Sequence, residues 1–376
     1  MQSVPFFSSA KSFLQDWAEI KEELNKVFDK CIFTSDTMVN AFEKEIRDYT
    51  GASYAFGTGN CTDALILSLK ALGMGPGDEV IVPCFTFVAS ASSVSHIGAK
   101  PVFVDIDSQT YNIDTSKVEE KITSKTRAIM PVHLFSQMAE MPQILEIASK
   151  YSLKVIEDSA ESIGMWLEGI HSGLIGDVGV LSFFPAKTLA AIGDAGMIIT
   201  NNPAIAEKCD LQRNNGRMKE TPDISYLIGT NSRMDEVQAA ILSVRLRHLA
   251  NDISRRKEIA NYYIERLSGL VPDVNTPIFP PRKYSTNQLF YVFVLQVRNR
   301  DDLVIYLEQN GIGTEIYYPR PLHIQPCFSY LGHKTSDFPV AEALCSSTVA
   351  IPLYPDLSIE QLDKVCTVIE EFYKKK

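Results

Sequence analysis

Between about residues 60 and 200, short apolar runs of strand length alternate with segments of helix length, which leaves few architectures open to the chain. Thr62 to Leu72 reads as a helix, with Ala64, Leu65, Leu67, Leu69 and Leu72 apolar and Gly73 at its end. Val80–Pro83 reads as a buried strand, residues 86–97 as a helix and Pro101–Ile106 as the next strand. Ser116 and Glu119 have the spacing of a capping box and predict a helix from Ser116 to Ile122. Ala128–His133, Met141–Tyr151 and Val155–Asp158 continue as strand, helix and strand, and Val178–Phe184 and Met197–Thr200 add two strands. Strands separated by helices predict an α/β fold on a mostly parallel sheet with helices on both faces. Such sheets bind ligands at the carboxyl ends of their strands. Asp105, His133, Asp158 and, after Ser182, Lys187 fall at those ends and point to a shared site.

The second half reads differently. A long helical region runs from Arg233 to Ser268, and Pro272–Pro281 reads as a Pro-rich connection. Tyr291–Gln296 and Ile316–Tyr318 are expected to be strands, Arg300–Gln309 and Ile359–Lys374 helices. This predicts a large α/β domain over residues 1–250 and a smaller C-terminal α+β domain over 251–376. A net charge of −10 with no basic stripe excludes a nucleic-acid footprint. Seven scattered cysteines without a CxxC argue against a disulfide framework or a zinc site and for a reducing compartment. No basic-then-apolar leader and no run near 20 apolar residues is visible, so a soluble, cytoplasmic protein is expected.

Four features carry chemistry. Lys187 follows the apolar run from Leu181 and enters a Gly-punctuated turn; it is an exposed loop lysine or, with its charge suppressed, a nucleophilic amine. Asp158 ends a strand, where it either caps the following segment or holds a cationic ring nitrogen, as pyridoxal phosphate requires. Gly57-Thr-Gly-Asn-Cys-Thr-Asp63 passes directly into a helix and is a capped turn or a phosphate site, with the Thr62 hydroxyl as an extra donor. Phe87 is a core phenylalanine or a platform for a flat ring.

In the order 62, 87, 158 and 182/187, these features resemble the DegT/DnrJ/EryC1/StrS family of pyridoxal-phosphate sugar aminotransferases. The likeness runs from Phe42-Glu-Lys-Glu45 through Gly75-Pro-Gly-Asp-Glu-Val-Ile-Val-Pro83, Val155-Ile-Glu-Asp158 and Ser182-Phe-Phe-Pro-Ala-Lys187 to Ile351-Pro-Leu-Tyr-Pro355. It implies the aspartate-aminotransferase fold (fold type I) and a homodimer with active sites shared at its interface. Lys187 is implied to bind the cofactor as a Schiff base, Asp158 to pair with the ring nitrogen and Phe87 to stack on the ring. Thr62, the Cys61 and Asp63 amides and Ser182 are implied to hold the phosphate, with Asn231 reaching it from the other subunit. Arg233 and, in Tyr317-Tyr-Pro-Arg-Pro-Leu-His323, Tyr317, Tyr318 and His323 are candidate substrate contacts.

The chain departs from the family pattern at four places. Glu161 stands where Gln is common and usually donates to the ring oxygen; Glu161 is therefore either protonated or faces another donor. Phe135-Ser136 replaces a frequent Tyr-Gly, Ser35 stands where glycine is frequent, and Cys61 replaces a glycine, which requires a negative φ. The implied reaction moves an amino group from L-glutamate to a nucleotide-linked keto sugar. Leu189-Ala-Ala-Ile-Gly-Asp-Ala-Gly196 resembles members that aminate C3 rather than C4, and the product is an amino sugar for a surface glycan or natural product. Rival readings are a keto-cyclitol aminotransferase, a non-catalytic cofactor-binding regulatory protein, and a deoxygenating dehydratase, which would carry histidine in place of Lys187. No metal site is expected.

Overall fold

A computed structural model describes residues 3–135, 137–270, 273–276 and 286–374. In chain order the strands are β1 (Tyr54–Thr58), β2 (Glu79–Pro83), β3 (Lys100–Val104), β4 (Thr126–Ile129) and β5 (Lys154–Asp158). A small hairpin, β6 (Trp166–Leu167) and β7 (Ile170–His171), precedes β8 (Val178–Ser182) and β9 (Gly196–Thr200). All but the hairpin form one sheet of order β1-β9-β8-β5-β4-β2-β3. β9 runs antiparallel to both neighbours and every other pairing is parallel.

Alternate residues of these strands feed two separate cores, as the two-residue period requires. Val82, Ile156, Val180 and Ile198 pack with Leu65, Leu67, Phe85 and Phe103 under α3 (Cys61–Ala71) and α4 (Val88–His96). Leu181, Met197 and Ile199 pack on the other face with Phe42 and Ile46 of α2 (Thr37–Thr50), which follows α1 (Ala10–Lys30). Phe42 meets Phe183 edge-on at 5.4 Å. Helices α5 (Met141–Tyr151) and α6 (Pro203–Arg213) complete the layers.

Helix α7 (Glu236–Leu267) is 32 residues long. Its first half lends Ala239, Leu242 and Leu249 to the Phe42 core; its second half lends Ile259, Ala260, Tyr263 and Leu267 to another. That second core lies against the antiparallel sheet β10 (Val274–Asn275), β11 (Phe293–Val297) and β12 (Thr348–Ile351). The helices α8 (Arg300–Gln309) and α10 (Ile359–Lys374) close over it, and α9 (Pro339–Ser347) leads into β12. At the start of α7, the Glu236 carboxylate accepts the Asp36, Met38 and Val39 amides, so one side chain fixes where α2 begins.

Several expectations are corrected. Ser116–Ile122 is not an α-helix but two 3₁₀ turns, because Asp114 Oδ1 captures the Ser116 amide and hydroxyl that a capping box needs. Ile316–Tyr318 is not a strand: Glu315 bridges Ala350, and then Tyr318 adopts φ 59° and turns the chain. Within the expected connection at 272–281, Val274–Asn275 pairs with β11 as a strand; Pro272 and residues 277–281 lie outside the described residues. Asp105 does not join the site at the strand ends, and the His133 ring is engaged away from Lys187, although its amide donates to the Asp158 carbonyl at 3.1 Å. Asp105 accepts the Val340 and Ala341 amides at the start of α9. His133 bonds Glu157 through Nε2 at 2.9 Å and accepts the Ala139 amide on Nδ1. Ser35 takes φ 60° without being glycine. All seven cysteines are free, and among the described residues no helix is long and apolar enough to cross a membrane.

His171 makes the fold acid-sensitive. It is fully buried, accepts the Gly164 amide on Nε2, donates from Nδ1 to the Ser172 carbonyl and meets Trp166 edge-on. Burial pushes its pKa down to about 4 from 6.5. The unfolded chain therefore takes up a proton from about pH 6.5, while the folded protein does so only near pH 4. Stability present above that window is lost through it, by about 2–3 kcal/mol. Urea unfolding at pH 7.5 and 4.5 should show this loss, and His171→Gln should flatten it; an unchanged slope in the variant would refute the assignment.

Candidate active site

The site is assembled where β1, β5 and β8 end and β9 begins. After β1, Asn60 caps α3: its Oδ1 accepts the Asp63 amide at 2.8 Å. The Asp63 amide is thereby occupied. The Cys61 and Thr62 amides remain at the positive end of the helix without an intrahelical acceptor. Cys61 is the first helical residue and is absent from the left-handed region, so it stands in for a glycine without strain. Gly196 pairs with Ser182 across β9 and β8, and a Cβ there would lie 2.5 Å from the Asn60 carbonyl carbon and 2.6 Å from the Cys61 nitrogen. Only glycine lets the strand end abut the helix start so closely. Ser182 is buried at the end of β8, with its Oγ 3.5 Å from the Phe184 amide.

Asp158, buried at the tip of β5, is held by two donors. The Ser90 hydroxyl donates to Oδ2 at 2.7 Å and the Ala160 amide reaches Oδ1 at 3.3 Å. Burial raises its pKa above the ordinary carboxylate value; the Ser90 bond, the Ala160 amide and the Lys187 charge act against that rise. Phe87 precedes α4 and is 60% exposed, which removes the reading as a core phenylalanine.

Lys187 lies in the loop between β8 and β9. Its Nζ is 3.3 Å from Glu161 Oε1 and 4.3 Å from the centre of the Tyr291 ring. Glu161 Oε2 accepts the Phe135 amide at 2.9 Å. Glu161 thus faces donors on both oxygens. Phe135 takes φ 59° and stacks on Tyr318 at 6.1 Å; its neighbour Ser136 lies outside the described residues. Tyr317 meets Tyr291 edge-on at 6.5 Å, and burial raises both phenols. Burial first, then the Asp158 charge, pushes the Cys61 thiol well above its ordinary range against a pull from Lys187. The interactions join Lys187, Glu161, Asp158, Cys61, Tyr291, Tyr317 and Tyr318 in one place.

Three expected residues, Asn231, Arg233 and His323, are engaged with partners outside this cluster. Asn231 is exposed and bridges Asn214, and Arg233 donates to Asn214 Oδ1 at 2.9 Å. His323 is 1% exposed, bonds Glu342 through Nε2 and packs on Phe338. Conversely, Ser90 and Tyr291 enter the site unannounced. Ser90 carried no signal of its own: Phe87, three residues earlier, caps α4 from outside and is exposed, whereas Ser90 is buried in the first turn. Tyr291 had none locally. It is placed by Arg256 of α7, whose buried guanidinium donates to the Phe290, Tyr291 and Leu353 carbonyls.

An amine beside a carboxylate, a buried acid and an open helix N-terminus can bind an anionic, ring-nitrogen cofactor and shuttle a proton. The pattern of the DegT/DnrJ/EryC1/StrS aminotransferase family matches residues 15–370. The chain belongs to that family. Like its DegT/DnrJ/EryC1/StrS relatives, it is an aminotransferase that uses pyridoxal 5′-phosphate. It is 42% identical over 373 residues to a pleiotropic regulatory protein of Geobacillus stearothermophilus, covering 99% of each chain. It is 40% identical over 354 residues, 93% of each chain, to a UDP-N-acetyl-3-dehydro-α-D-glucosamine 3-aminotransferase of Acidithiobacillus ferrooxidans. The crystal structure of S. venezuelae DesV superposes with a TM-score of 0.95 at 34% identity, covering 100% of this chain and 99% of that one. Fold type I, expected from the sequence, is borne out by this likeness. The residues present fit the cofactor: Gly196 leaves the α3 amides open, and Asp158 and Lys187 supply the acid and the amine.

Proposed function

We propose that this enzyme transfers an amino group from L-glutamate to a nucleotide-linked keto sugar, at C3 in preference to C4. The observation that carries this reading is the Lys187 amine, held 3.3 Å from Glu161 under the Tyr291 ring and within electrostatic reach of Asp158. Pyridoxal phosphate, when bound, supplies an electron-withdrawing ring that makes a proton beside an amine removable. Lys187 would hold it covalently, and its freed amine would be the group that accepts that proton and returns it. Asp158 would hold the ring nitrogen in its cationic form, and Phe87 would cover a ring face. The Cys61 and Thr62 amides, the Thr62 hydroxyl and Ser182 take the phosphate, with the exposed Asn231 reaching it from a second protomer of a homodimer. We place direct sugar contacts on Tyr317, Tyr318 and Arg233, with His323 in support behind them. The 3-aminotransferase name of the Acidithiobacillus relative supports C3. We divide the chain near residue 250, within α7.

Purified protein loaded with pyridoxal phosphate should show a visible absorbance band that borohydride fixes to Lys187. Glutamate should bleach the band and a nucleotide-linked 3-keto sugar restore it. Restoration only by a 4-keto sugar or a keto-cyclitol would change the substrate; no response to any amino donor would favour a regulatory protein. Failure to take up cofactor would end the reading.

A further inference from the structure

Asp158 has two oxygens in unequal surroundings. Oδ2 receives the Ser90 hydroxyl at 2.7 Å, a short charge-assisted bond, whereas Oδ1 receives only the Ala160 amide at 3.3 Å. Ser90 is itself fully buried, on the first turn of α4, and its Oγ lies 3.2 Å from Thr86 Oγ1. A charged carboxylate only accepts, so the single Ser90 proton must go to Asp158. Thr86 can then donate to Ser90, which gives a directed relay from Thr86 through Ser90 to Oδ2. The relay ties down one oxygen and leaves Oδ1 as the weakly engaged one.

We propose that Ser90 is a positioning residue that fixes the rotation of Asp158, so that Oδ1 is presented to the ring nitrogen of the cofactor, with Thr86 as the link behind it. The inference rests on the reading of Asp158 as that nitrogen's partner. Phe87, the residue that precedes α4, and Ser90, in its first turn, would then serve the ring face and the ring nitrogen from the start of one helix.

The test compares Ser90→Thr with Ser90→Val, side chains of nearly equal shape that differ in the hydroxyl. Pyridoxal phosphate affinity is read by absorbance titration of the cofactor-free protein, together with the pH dependence of the visible band. Losing a hydrogen bond to a charged group should make Ser90→Val bind about 10- to 100-fold more weakly than wild type. The band of that variant should also titrate at a different pH. Ser90→Thr should stay close to wild type in both readouts, and the Thr/Val difference should shrink in an Asp158→Asn background. Equal affinity and equal band titration of the two variants would overturn the proposal, as would a difference that persists without the Asp158 charge. If wild-type protein takes up no cofactor, the proposed function falls with it; uptake with no Thr/Val difference overturns only the role of Ser90.

Discussion

Lys187→Ala is expected to reduce amino transfer by at least about 10⁴-fold, because it removes both the covalent attachment and the group that moves the proton. The protein should still fold. Lys187 sits in a loop, and its loss leaves Glu161 with the Phe135 amide as a remaining donor. The cost in stability should be about 1–3 kcal/mol, that of a buried carboxylate short of one partner. Lys187→Arg separates the two roles of the side chain. Arginine keeps a cation beside Glu161 and against the Tyr291 ring but does not lose its proton, so it should preserve stability and remain inactive. Steady-state rates and borohydride labelling read the first effect, urea unfolding the second. An alanine variant that kept a hundredth of the activity would sink the assignment.

Asp158→Asn is expected to lower turnover by about 10²–10³-fold, the usual effect of removing one preorganised charge from a dry site. Its effect on the cofactor-free protein should have the opposite sign. Burial, the largest influence on Asp158, raises its folded pKa above the unfolded value. The folded state is therefore favoured by this group below the unfolded carboxylate pKa, and that advantage is lost as pH rises through the folded one. At pH 8 the charged Asp158 is a liability that asparagine lacks, so the variant should melt higher than wild type. The gain should vanish near pH 3, where both states of the wild type are protonated. Melting curves at the two pH values test this, and a variant less stable at pH 8 would contradict it. A residue that weakens the fold and is kept for its charge is the expected mark of a functional carboxylate.

Much of this was legible before any coordinates. The strand–helix alternation placed the sheet, and Asp158 and Lys187, read from their positions after strands, do fall in one cluster, because both rest on local pattern. What local pattern does not contain was missed. The reversed direction of β9 depends on its neighbours, β1 and β8, rather than on its own residues. Asp105 and His133 read as site residues because they end strands, yet their partners, the start of α9 and Glu157, lie elsewhere in the chain. Helix α1 was not expected at all, since it is polar along much of its length and draws its order from the ion pair of Asp16 with Arg245 and from packing of Ile20 on Ile241 and Val244. Ser90 was missed because its partner, Asp158, lies on a strand far along the chain.

Helix α7 also sets the mechanics of the molecule. At 32 residues it is a rod about 48 Å long, clamped in one core near Leu242 and in another near Tyr263. Arg256, between the clamps, ties this rod to the backbone of Tyr291, whose ring lies over Lys187. Arg256 thereby links the middle of the rod to the segment that carries the tyrosine over Lys187.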